Sequence, residues 1–367
     1  MSVAVVEIPA GSRWLRDDRV TRRDSGILQY DCLEPCLAEL LDRSALRFAN
    51  RVAVVDRCGR TLAYRELWAA AARVAGGLLD QGVGPADRVV ICQPNGVRWL
   101  IGFLGVVLAG GVPVLPDPSC SPEEAAEIEV HSGAVLTLDS DLPDGVAFLD
   151  GGASPDELAV LYYVRVAGGG LRGVELTNTN VLSTIEAVAH AMDLVGDGVR
   201  TVLTAPLSTA VGCSVQLLPT LAFGGTVVVS GSRVIRAPWR HLRAAFPASR
   251  FVRGWGVAET GGIGLLLPSE HRSRHPRSVG VPFGGIEVAL LGPDAEHGMG
   301  ELLCRGPSVA RRYWRDPCAS DETFTDDGWF RTGDQVRIDD EASSSRSPSG
   351  CREPCNRFSS GIQPVTG

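Results

Sequence analysis

Residues 162–180 have the composition of a phosphate-binding loop. They read YYVRVAGGGLRGVELTNTN: a β-like run that ends in three glycines, then Arg172, then a segment of helical spacing. Glycines let a backbone approach phosphate, and the N–H groups at a helix N-terminus favour anions. No Ser, Thr or Lys lies between Tyr162 and Leu176. An ordinary turn between a strand and a helix has the same pattern, so the segment alone leaves both interpretations open.

The basic side chains of the chain are all arginines. The sequence contains no lysine, so its 35 basic residues exclude chemistry that needs a titrating Lys amine. The net charge of −8 argues against a general nucleic-acid surface, because phosphate backbones attract basic proteins. The N-terminus has a short apolar patch, an early Glu7 and no basic region before it, which predicts no signal peptide. We therefore expect a cytoplasmic protein with reduced cysteines.

Helix-like and strand-like periods alternate along the chain, which indicates an α/β fold with a mostly parallel sheet. Apolar residues at helical spacing predict a helix over residues 61–82, with Thr61 as its N-cap. An uncharged, strongly apolar run, residues 99–116, contains four glycines and two prolines. This composition favours a buried helix followed by a buried strand over a transmembrane segment. Further strands are predicted at 52–56, 157–166, 201–206 and 224–231, and a further helix over 181–192.

Changes in composition divide the chain into four parts. Residues 1–30 are irregular and rich in arginine, which predicts a loose N-terminal arm. Residues 31–279 form the large α/β domain. Over residues 280–341, β-like sequence punctuated by glycines predicts a small antiparallel subdomain. Residues 342–367 are rich in serine and have no hydrophobic period, which predicts a disordered tail.

Several segments, in this order, resemble the adenylate-forming acyl-CoA synthetases, also called AMP-dependent synthetases and ligases. They include TLAYREL (61–67), GWGVAETGG (254–262), GELLCRGPSVARRYW (300–314) and DGWFRTGD (327–334). The similarity extends from about Asp31 to Glu341. It implies the family's large N-terminal domain, with stacked, mainly parallel sheets, helices and a small β-rich subdomain.

The resemblance also implies a reaction and its ligands. Members of the family join a carboxylate, such as that of a fatty acid, to the α-phosphate of ATP and release pyrophosphate. They then transfer the acyl group to a thiol, usually that of coenzyme A. The expected cofactors are therefore ATP or AMP and Mg²⁺. The expected partners are a carboxylic (fatty) acid and either coenzyme A or a carrier protein.

The family's site residues have counterparts in this sequence. Trp255 and Gly256 match the segment whose aromatic residue stacks on adenine. Glu259 matches the carboxylate that holds Mg²⁺ near the phosphates, which makes it the candidate catalytic and metal-binding residue, since a hard cation prefers oxygen ligands. Thr332 and Asp334 match the segment whose carboxylate accepts hydrogen bonds from the ribose hydroxyls.

The phosphate loop departs from the family pattern. Tyr163 and Gly173 match its ends, Gly168 and Gly169 lie within it, and Arg172 replaces the family's lysine. An arginine can still bind phosphate as a fork-shaped donor. The Ser and Thr hydroxyls of the family loop have no substitute, and losing one preorganised donor can cost roughly 10²–10³ in rate. We therefore expect little adenylation from this loop.

Other departures lie outside the loop. Thr209 stands where the family often has a histidine near the acyl pocket. Ala258 stands where most members have a threonine, as in the fatty acyl-AMP ligases. The segment near residues 232–253 is much shorter than the family's, which helps to wall the adenine and acyl pockets. The chain also ends where the C-terminal domain should begin, so we expect that domain, with its hinge arginine and its lysine, to be absent.

Three hypotheses for the function remain open. The first is an active acyl-adenylating enzyme that uses Trp255, Glu259 and Asp334. The second is a non-catalytic homologue that binds an acyl chain or a partner protein. The third is the product of a disrupted synthetase gene, because patternless Ser/Arg/Pro/Cys sequence begins abruptly after Glu341. The second and third both predict lost or strongly impaired adenylation.

Overall fold

The computed structural model of the chain describes residues 4–8, 17–24, 26–139, 141–166, 170–229, 251–267, 275–338 and 362–364. The strands are β1 (Ala4–Ile8), β2 (Val20–Arg22), β3 (Leu28–Tyr30), β4 (Val52–Val55), β5 (Thr61–Ala63), β6 (Arg88–Ile91), β7 (Val112–Leu115), β8 (Leu136–Leu138), β9 (Leu158–Arg165), β10 (Leu171–Thr177), β11 (Arg200–Val202), β12 (Thr226–Val228), β13 (Arg253–Trp255), β14 (Leu265–Leu267), β15 (Val281–Pro282), β16 (Glu287–Gly292), β17 (Met299–Arg305), β18 (Phe330–Ile338) and β19 (Ile362–Pro364).

The α-helices are α1 (Leu37–Arg47), α2 (Tyr64–Asp80), α3 (Val97–Leu108), α4 (Pro122–Ser132), α5 (Asn178–Met192), α6 (Leu218–Ala222) and α7 (Pro317–Thr323). A π-helix over Val211–Leu217 leads directly into α6. Short 3-10 helices cover Ala258–Thr260 and Ala295–His297.

Two sheets have parallel strands at their centre and an antiparallel strand at one edge. The first has the order β10-β9-β7-β6-β8, and only β10 runs antiparallel to its neighbour. The second has the order β11-β12-β4-β5, and only β5 is antiparallel. Parallel neighbours need long crossovers, and α3 and α4 supply those of the first sheet. The predicted α/β fold is confirmed, and its sheets are mixed.

The main hydrophobic core joins these two sheets. One buried cluster contains Val54 and Val227 of the second sheet, Val89 and Leu115 of the first, and the apolar faces of α1, α2, α3 and α5. The uncharged run is buried as predicted, because α3 and β7 both belong to this core. In the described ranges, no helix combines the length and apolar character needed to cross a bilayer.

Helix α2 begins later than the sequence predicts. Thr61 lies in β5, which pairs antiparallel with β4, so the prediction of Thr61 as an N-cap was wrong. The residue before the first turn is Ala63, whose N–H donates to the Glu66 carboxylate at 2.8 Å. Thr61 pairs with β4 although threonine favours the N-cap position. The local sequence does not show this strand pairing.

The strands on either side of the glycine loop pair with each other, which corrects the predicted order of strand, loop and helix. β9 and β10 are antiparallel and place Tyr163 opposite Gly173. Helix α5 starts only at Asn178, after the seven residues of β10. At about 3.3 Å per residue, that strand separates the helix N-terminus from the loop by roughly 20 Å. The N–H groups of α5 therefore do not contribute to an anion site at the glycines.

The N-terminal segment contains strands that the sequence analysis did not predict. β1 pairs with β16 at the edge of an antiparallel sheet with the order β1-β16-β17-β18-β19. β2 and β3 form a hairpin. The prediction of an irregular arm over residues 1–30 fails for these strands, which are too short to show a period. In the predicted disordered tail, β19 pairs with β18. Most of the segment near 232–253 lies outside the described residues.

The side-chain amide of Gln216 hydrogen-bonds the two residues that follow Leu203, just beyond the end of β11. The Leu203 N–H donates to Val228 of the neighbouring β12, at 3.0 Å. The next two N–H groups, of Thr204 and Ala205, donate instead to the side-chain oxygen of Gln216, at 3.1 and 3.3 Å. The Gln216 amide nitrogen in turn donates to the Thr204 hydroxyl at 2.7 Å. Gln216 therefore takes the place of a neighbouring strand beside this segment.

Candidate functional site

Trp255 and Asp334 come together from two different sheets. Trp255 ends β13, and Asp334 lies on β18. The indole N–H of Trp255 donates to a carboxylate oxygen of Asp334 at 2.9 Å. An indole N–H can only donate and an ionised carboxylate can only accept, so this bond orients both side chains. The candidate adenine-stacking and ribose-binding residues therefore lie side by side.

Thr332 supports Asp334 through its hydroxyl. The Thr332 hydroxyl donates to the Leu302 carbonyl at 2.8 Å and accepts the Asp334 N–H at 3.0 Å. The pairing of β17 with β18 is irregular at this point, between Glu301 and Leu303. In the structure, Thr332 therefore fixes the bend of β18 that presents Asp334.

The turn after β13 places Glu259 in the interior. Gly256 packs so closely on Ile263 that a Cβ at residue 256 would come within 2.3 Å of the Ile263 Cα. Glu259 follows on a 3-10 helix and is only 6% exposed. Trp255, Gly256 and Glu259 are thus brought together by one tight turn.

The buried carboxyl of Glu259 accepts a hydrogen bond from a buried tyrosine hydroxyl. The Tyr313 hydroxyl, itself buried, donates to Oε1 of Glu259 at 2.8 Å. Burial raises the pKa of Glu259, while the Tyr313 hydrogen bond and the charge of Arg172 act in the opposite direction. Burial also raises the pKa of Tyr313, which keeps the phenol a donor near neutral pH. A nearby cation would favour the ionised form of Glu259.

The two arginines that flank the glycine loop both have carboxylate partners. Arg165 forms a two-pronged pair with Glu124 of α4, at 2.8 and 3.0 Å. The Nε of Arg172 lies 3.6 Å from Asp316, and its guanidinium lies 5.2 Å from the centre of the Tyr313 ring. Both guanidinium groups of this segment therefore have carboxylate neighbours within the chain.

The returning strand β10 connects the loop to the Tyr313 segment. The Trp314 N–H donates to the Gly173 carbonyl at 2.7 Å, and Val174 forms an antiparallel bridge with Tyr313. The predicted site residues Arg172 and Gly173 are thus tied to Glu259 through this segment. Gly168 and Gly169 lie outside the described residues.

Two adjoining cavities lie beside the turn that carries Glu259. The smaller has a volume of about 110 Å³, and its wall includes Tyr163, Thr209 and Ala258. The larger has a volume of about 770 Å³ and a mainly apolar wall. Val211 and Gly262 contribute to both. Volumes of 300–1,000 Å³ are typical of small-molecule sites. Thr209 also donates to the Pro206 carbonyl at 2.7 Å, so its hydroxyl shapes the cavity wall.

The residues of the site fit a metal ion whose other ligands are the phosphates of a bound nucleotide. In the parts of the chain that the structure describes, no group of three or more His, Cys, Asp or Glu side chains could hold a metal ion. Mg²⁺ is commonly bound through one or two carboxylates together with substrate phosphates and waters. The buried Glu259 fits the part of such a carboxylate.

Three contributors to this site were not identified from the sequence: Tyr313, Asp316 and Glu124. Tyr313 lies within the ARRYW segment that carries the resemblance, but no spacing rule connects it to Glu259, 54 residues earlier. Glu124 lies 41 residues before Arg165. Only the pairing of β10 with the Tyr313 segment and the packing of α4 bring these groups together.

Comparisons with known proteins agree with this geometry. A family model described as "AMP-binding enzyme" matches residues 41–167 and 227–314. Feruloyl-CoA synthase from Amycolatopsis sp is 28% identical over an alignment that is 373 residues long with its gaps. The alignment covers 80% of this chain and 74% of that protein. The long-chain-fatty-acid–CoA ligase of Salmonella typhimurium is 24% identical over an alignment that is 426 residues long with its gaps. The alignment covers 83% of this chain and 75% of that protein.

A solved structure shows the same fold. The o-succinylbenzoate CoA synthetase from Bacillus subtilis, in complex with the acyl-adenylate intermediate OSB-AMP, matches with a TM-score of 0.72 at 21% identity. The match covers 84% of this chain and 98% of that one. The two ranges of the family match together span more than half of the present chain, and they include Glu259 and Tyr313. The chain therefore belongs to the AMP-binding enzyme family, the adenylate-forming acyl-CoA synthetases, as a homologue of AMP-forming carboxylic acid–CoA ligases.

Proposed function

We propose that this chain binds a carboxylic acid and an adenine nucleotide but joins them slowly or not at all. One observation carries the proposal. Trp255 holds Asp334 by a hydrogen bond and Tyr313 holds Glu259, whereas Arg165 and Arg172 beside the glycine loop are already paired with Glu124 and Asp316. Binding and catalysis therefore depend on different parts of the site, and the catalytic part is weakened.

The cavities support an acid with an apolar tail. The larger cavity takes an acyl or aryl group, because its wall includes Val199, Val215, Ile263 and Leu266. The smaller cavity, next to Ala258 and the start of the glycine loop, takes the carboxylate end. Removing apolar surface of the tail from water supplies about 25 cal/mol per Å². This burial does not depend on the phosphate loop.

The nucleotide contacts come from separate residues. The adenine stacks on Trp255, and the ribose hydroxyls donate to Asp334. Mg²⁺, when bound by Glu259, neutralises phosphate charge. The Nε of Arg172 lies 3.6 Å from Asp316, so this carboxylate competes with a phosphate for the guanidinium, and the loop offers no side-chain hydroxyl as a further donor. Since each missing preorganised donor costs roughly 10²–10³ in rate, adenylation is slow even with both ligands bound.

Two measurements on the full chain test the proposal. Thermal unfolding is followed with AMP, with ATP and Mg²⁺, and with a panel of aliphatic and aromatic acids, because a ligand at 100 times its Kd stabilises by about 2.7 kcal/mol. Pyrophosphate release is measured with the same acids. We expect stabilisation by AMP and by at least one class of acid, with acid-dependent pyrophosphate release at background.

A variant at the junction of the cavities separates the two ligands. Val211 is 39% exposed, so Val211→Phe should fold while its ring obstructs the passage between them. Stabilisation by the acid should disappear, whereas stabilisation by AMP should persist. Rapid acid-dependent pyrophosphate release would show an active enzyme instead. Absence of stabilisation by every acid and by AMP would contradict the binding proposal.

A further inference from the structure

We infer that Tyr313 is a positioning residue that aims the Glu259 carboxylate at a nucleotide-bound divalent cation and holds Arg172 next to it. The inference rests on the proposed function, because it assigns a role within the proposed nucleotide site. No residue-type pattern in the sequence points to it, and it follows from contacts alone.

Tyr313 is held on several sides. Its N–H donates to the Ser320 hydroxyl at 2.9 Å, and its backbone forms an antiparallel bridge with Val174 of β10. Its ring packs on Phe324, with the ring centres 5.3 Å apart, and the residue is only 4% exposed. The hydroxyl is therefore presented from a fixed ring, at little further cost in conformational entropy.

Glu259 is fixed from the same segment at two points. The Ala310 N–H donates to the Glu259 carbonyl at 2.8 Å, and the Tyr313 hydroxyl donates to Oε1 of its side chain at 2.8 Å. Because Oε1 of the carboxylate is held by this hydrogen bond, the second oxygen, Oε2, points in a defined direction. Hydrogen-bond partners of metal ligands commonly change metal affinity by 10–100-fold when they are mutated.

The same ring contacts the cation of the phosphate loop. The Arg172 guanidinium lies 5.2 Å from the centre of the Tyr313 ring, within the range of cation–π attraction. Tyr313 therefore touches both a metal-binding carboxylate and a phosphate-binding guanidinium. It sets the spacing between the two charged groups that would flank a Mg²⁺-bound phosphate.

The test uses Mn²⁺–ATP as the probe, with its Kd measured from the enhancement of water-proton relaxation on titration with the full chain. Tyr313→Phe keeps the ring beside Phe324 and Arg172 and removes only the hydroxyl. We expect its Kd to rise about tenfold. The matched control is Tyr64→Phe, since Tyr64 is equally buried and its hydroxyl donates to the Gly225 carbonyl at 2.7 Å, far along the chain from Glu259. Its Kd should stay within twofold of the wild type.

A double variant distinguishes positioning from general loosening. In the Glu259→Gln background, Tyr313→Phe should change the Kd no further, because it acts through the Glu259 carboxylate. An unchanged Kd in the single variant, or an equal rise in both backgrounds, would overturn the inference while leaving the proposed function intact. Failure of the wild type to bind Mn²⁺–ATP would overturn the inference, whereas the proposed function falls only if AMP and every acid also fail to stabilise the chain. Should Tyr313→Phe not fold, Ser320→Ala serves as a second variant, because it removes the side-chain acceptor of the Tyr313 N–H, and an unchanged Kd in this variant would count against positioning by Tyr313.

Discussion

At the scale of single residues, Trp255 uses two different parts of one side chain. Its N–H, at the edge of the indole, donates to Asp334 and leaves the face of the ring uninvolved in that bond. A base can stack on the face while the edge holds the ribose-binding carboxylate in place. The two contacts of the proposed nucleotide site are therefore coupled through one indole.

Substitution of Trp255 should separate stacking from this coupling. Stacking of a base on an aromatic side chain is worth about 1–3 kcal/mol by alanine substitution, so Trp255→Ala should weaken AMP binding by that amount. Trp255→Phe should lose less, because it keeps an aromatic face and loses only the bond to Asp334. Isothermal titration with AMP measures both effects.

The chain offers a matched control for this experiment. Trp68 makes a similar indole–carboxylate bond, to Asp42 at 2.8 Å, away from the candidate site. Trp68→Phe should leave AMP binding unchanged. Equal AMP affinity in the wild type and Trp255→Ala would show that the nucleotide does not stack on this residue.

At the scale of elements, helix α4 connects its own start to the glycine loop. Ser121 and Glu124 form a reciprocal capping box, with bonds of 2.8 and 3.2 Å. The Glu124 carboxylate also pairs with Arg165 at the end of β9. The hydrogen bonds from Arg165 and from the Ser121 backbone lower the pKa of Glu124 to about 2.

This pKa predicts a pH-dependent contribution of Glu124 to stability. A carboxyl whose pKa is lower in the folded state stabilises the fold above the unfolded-state pKa of 4.5, and this contribution is lost as the pH falls towards about 2. Glu124→Gln should therefore be less stable than the wild type at pH 6, and the difference should vanish near pH 2. Urea unfolding across this range measures it.

A second glutamate on the same helix serves as the control. Glu127 is exposed, so Glu127→Gln should change the stability little at pH 6. A difference for Glu124→Gln that persists at low pH would contradict the assignment to its ionised form.

Helix α2 depends on a glycine for its packing. A Cβ on Gly77 would come within 2.5 Å of the Asp144 backbone nitrogen and 2.7 Å of the Pro143 carbonyl carbon. Replacing glycine by alanine inside a helix normally stabilises by about 1 kcal/mol. Here Gly77→Ala should instead destabilise, by about 1–3 kcal/mol, because the backbone of residues 143–145 must move.

Urea denaturation measures the effect of Gly77→Ala. As a control for helix propensity alone, Ala69→Gly at an exposed position of α2 should cost about 1 kcal/mol. A gain in stability for Gly77→Ala would contradict the packing seen in the structure.

At the scale of the whole molecule, the sequence predicts what is repeated locally and fails where distant segments meet. Alternating helical and strand periods predict the α/β fold, and the motif around Glu259 identifies the family, because both signals lie within short windows. The strand β1 was missed because five residues show no clear period, and its partner β16 lies near the other end of the fold.

The same reason explains the errors at the candidate site. The composition of the glycine segment predicts a strand, a loop and a helix, because composition does not reveal that β10 folds back on β9. The motifs point to Glu259 and Asp334 but not to the Tyr313 hydroxyl or the Trp255–Asp334 bond. Those contacts depend on the packing of elements separated by tens of residues, and local sequence patterns do not show such packing.

The amide of Gln216 beside β11 bears on how copies of the chain meet. Open sheet edges are templates on which a second polypeptide can extend a sheet, and this is a common route to fibres. At Thr204 and Ala205 the donors that would recruit such a strand are already occupied by Gln216. An incoming chain must first displace this side chain, so the segment is a poor seed for intermolecular polymerisation.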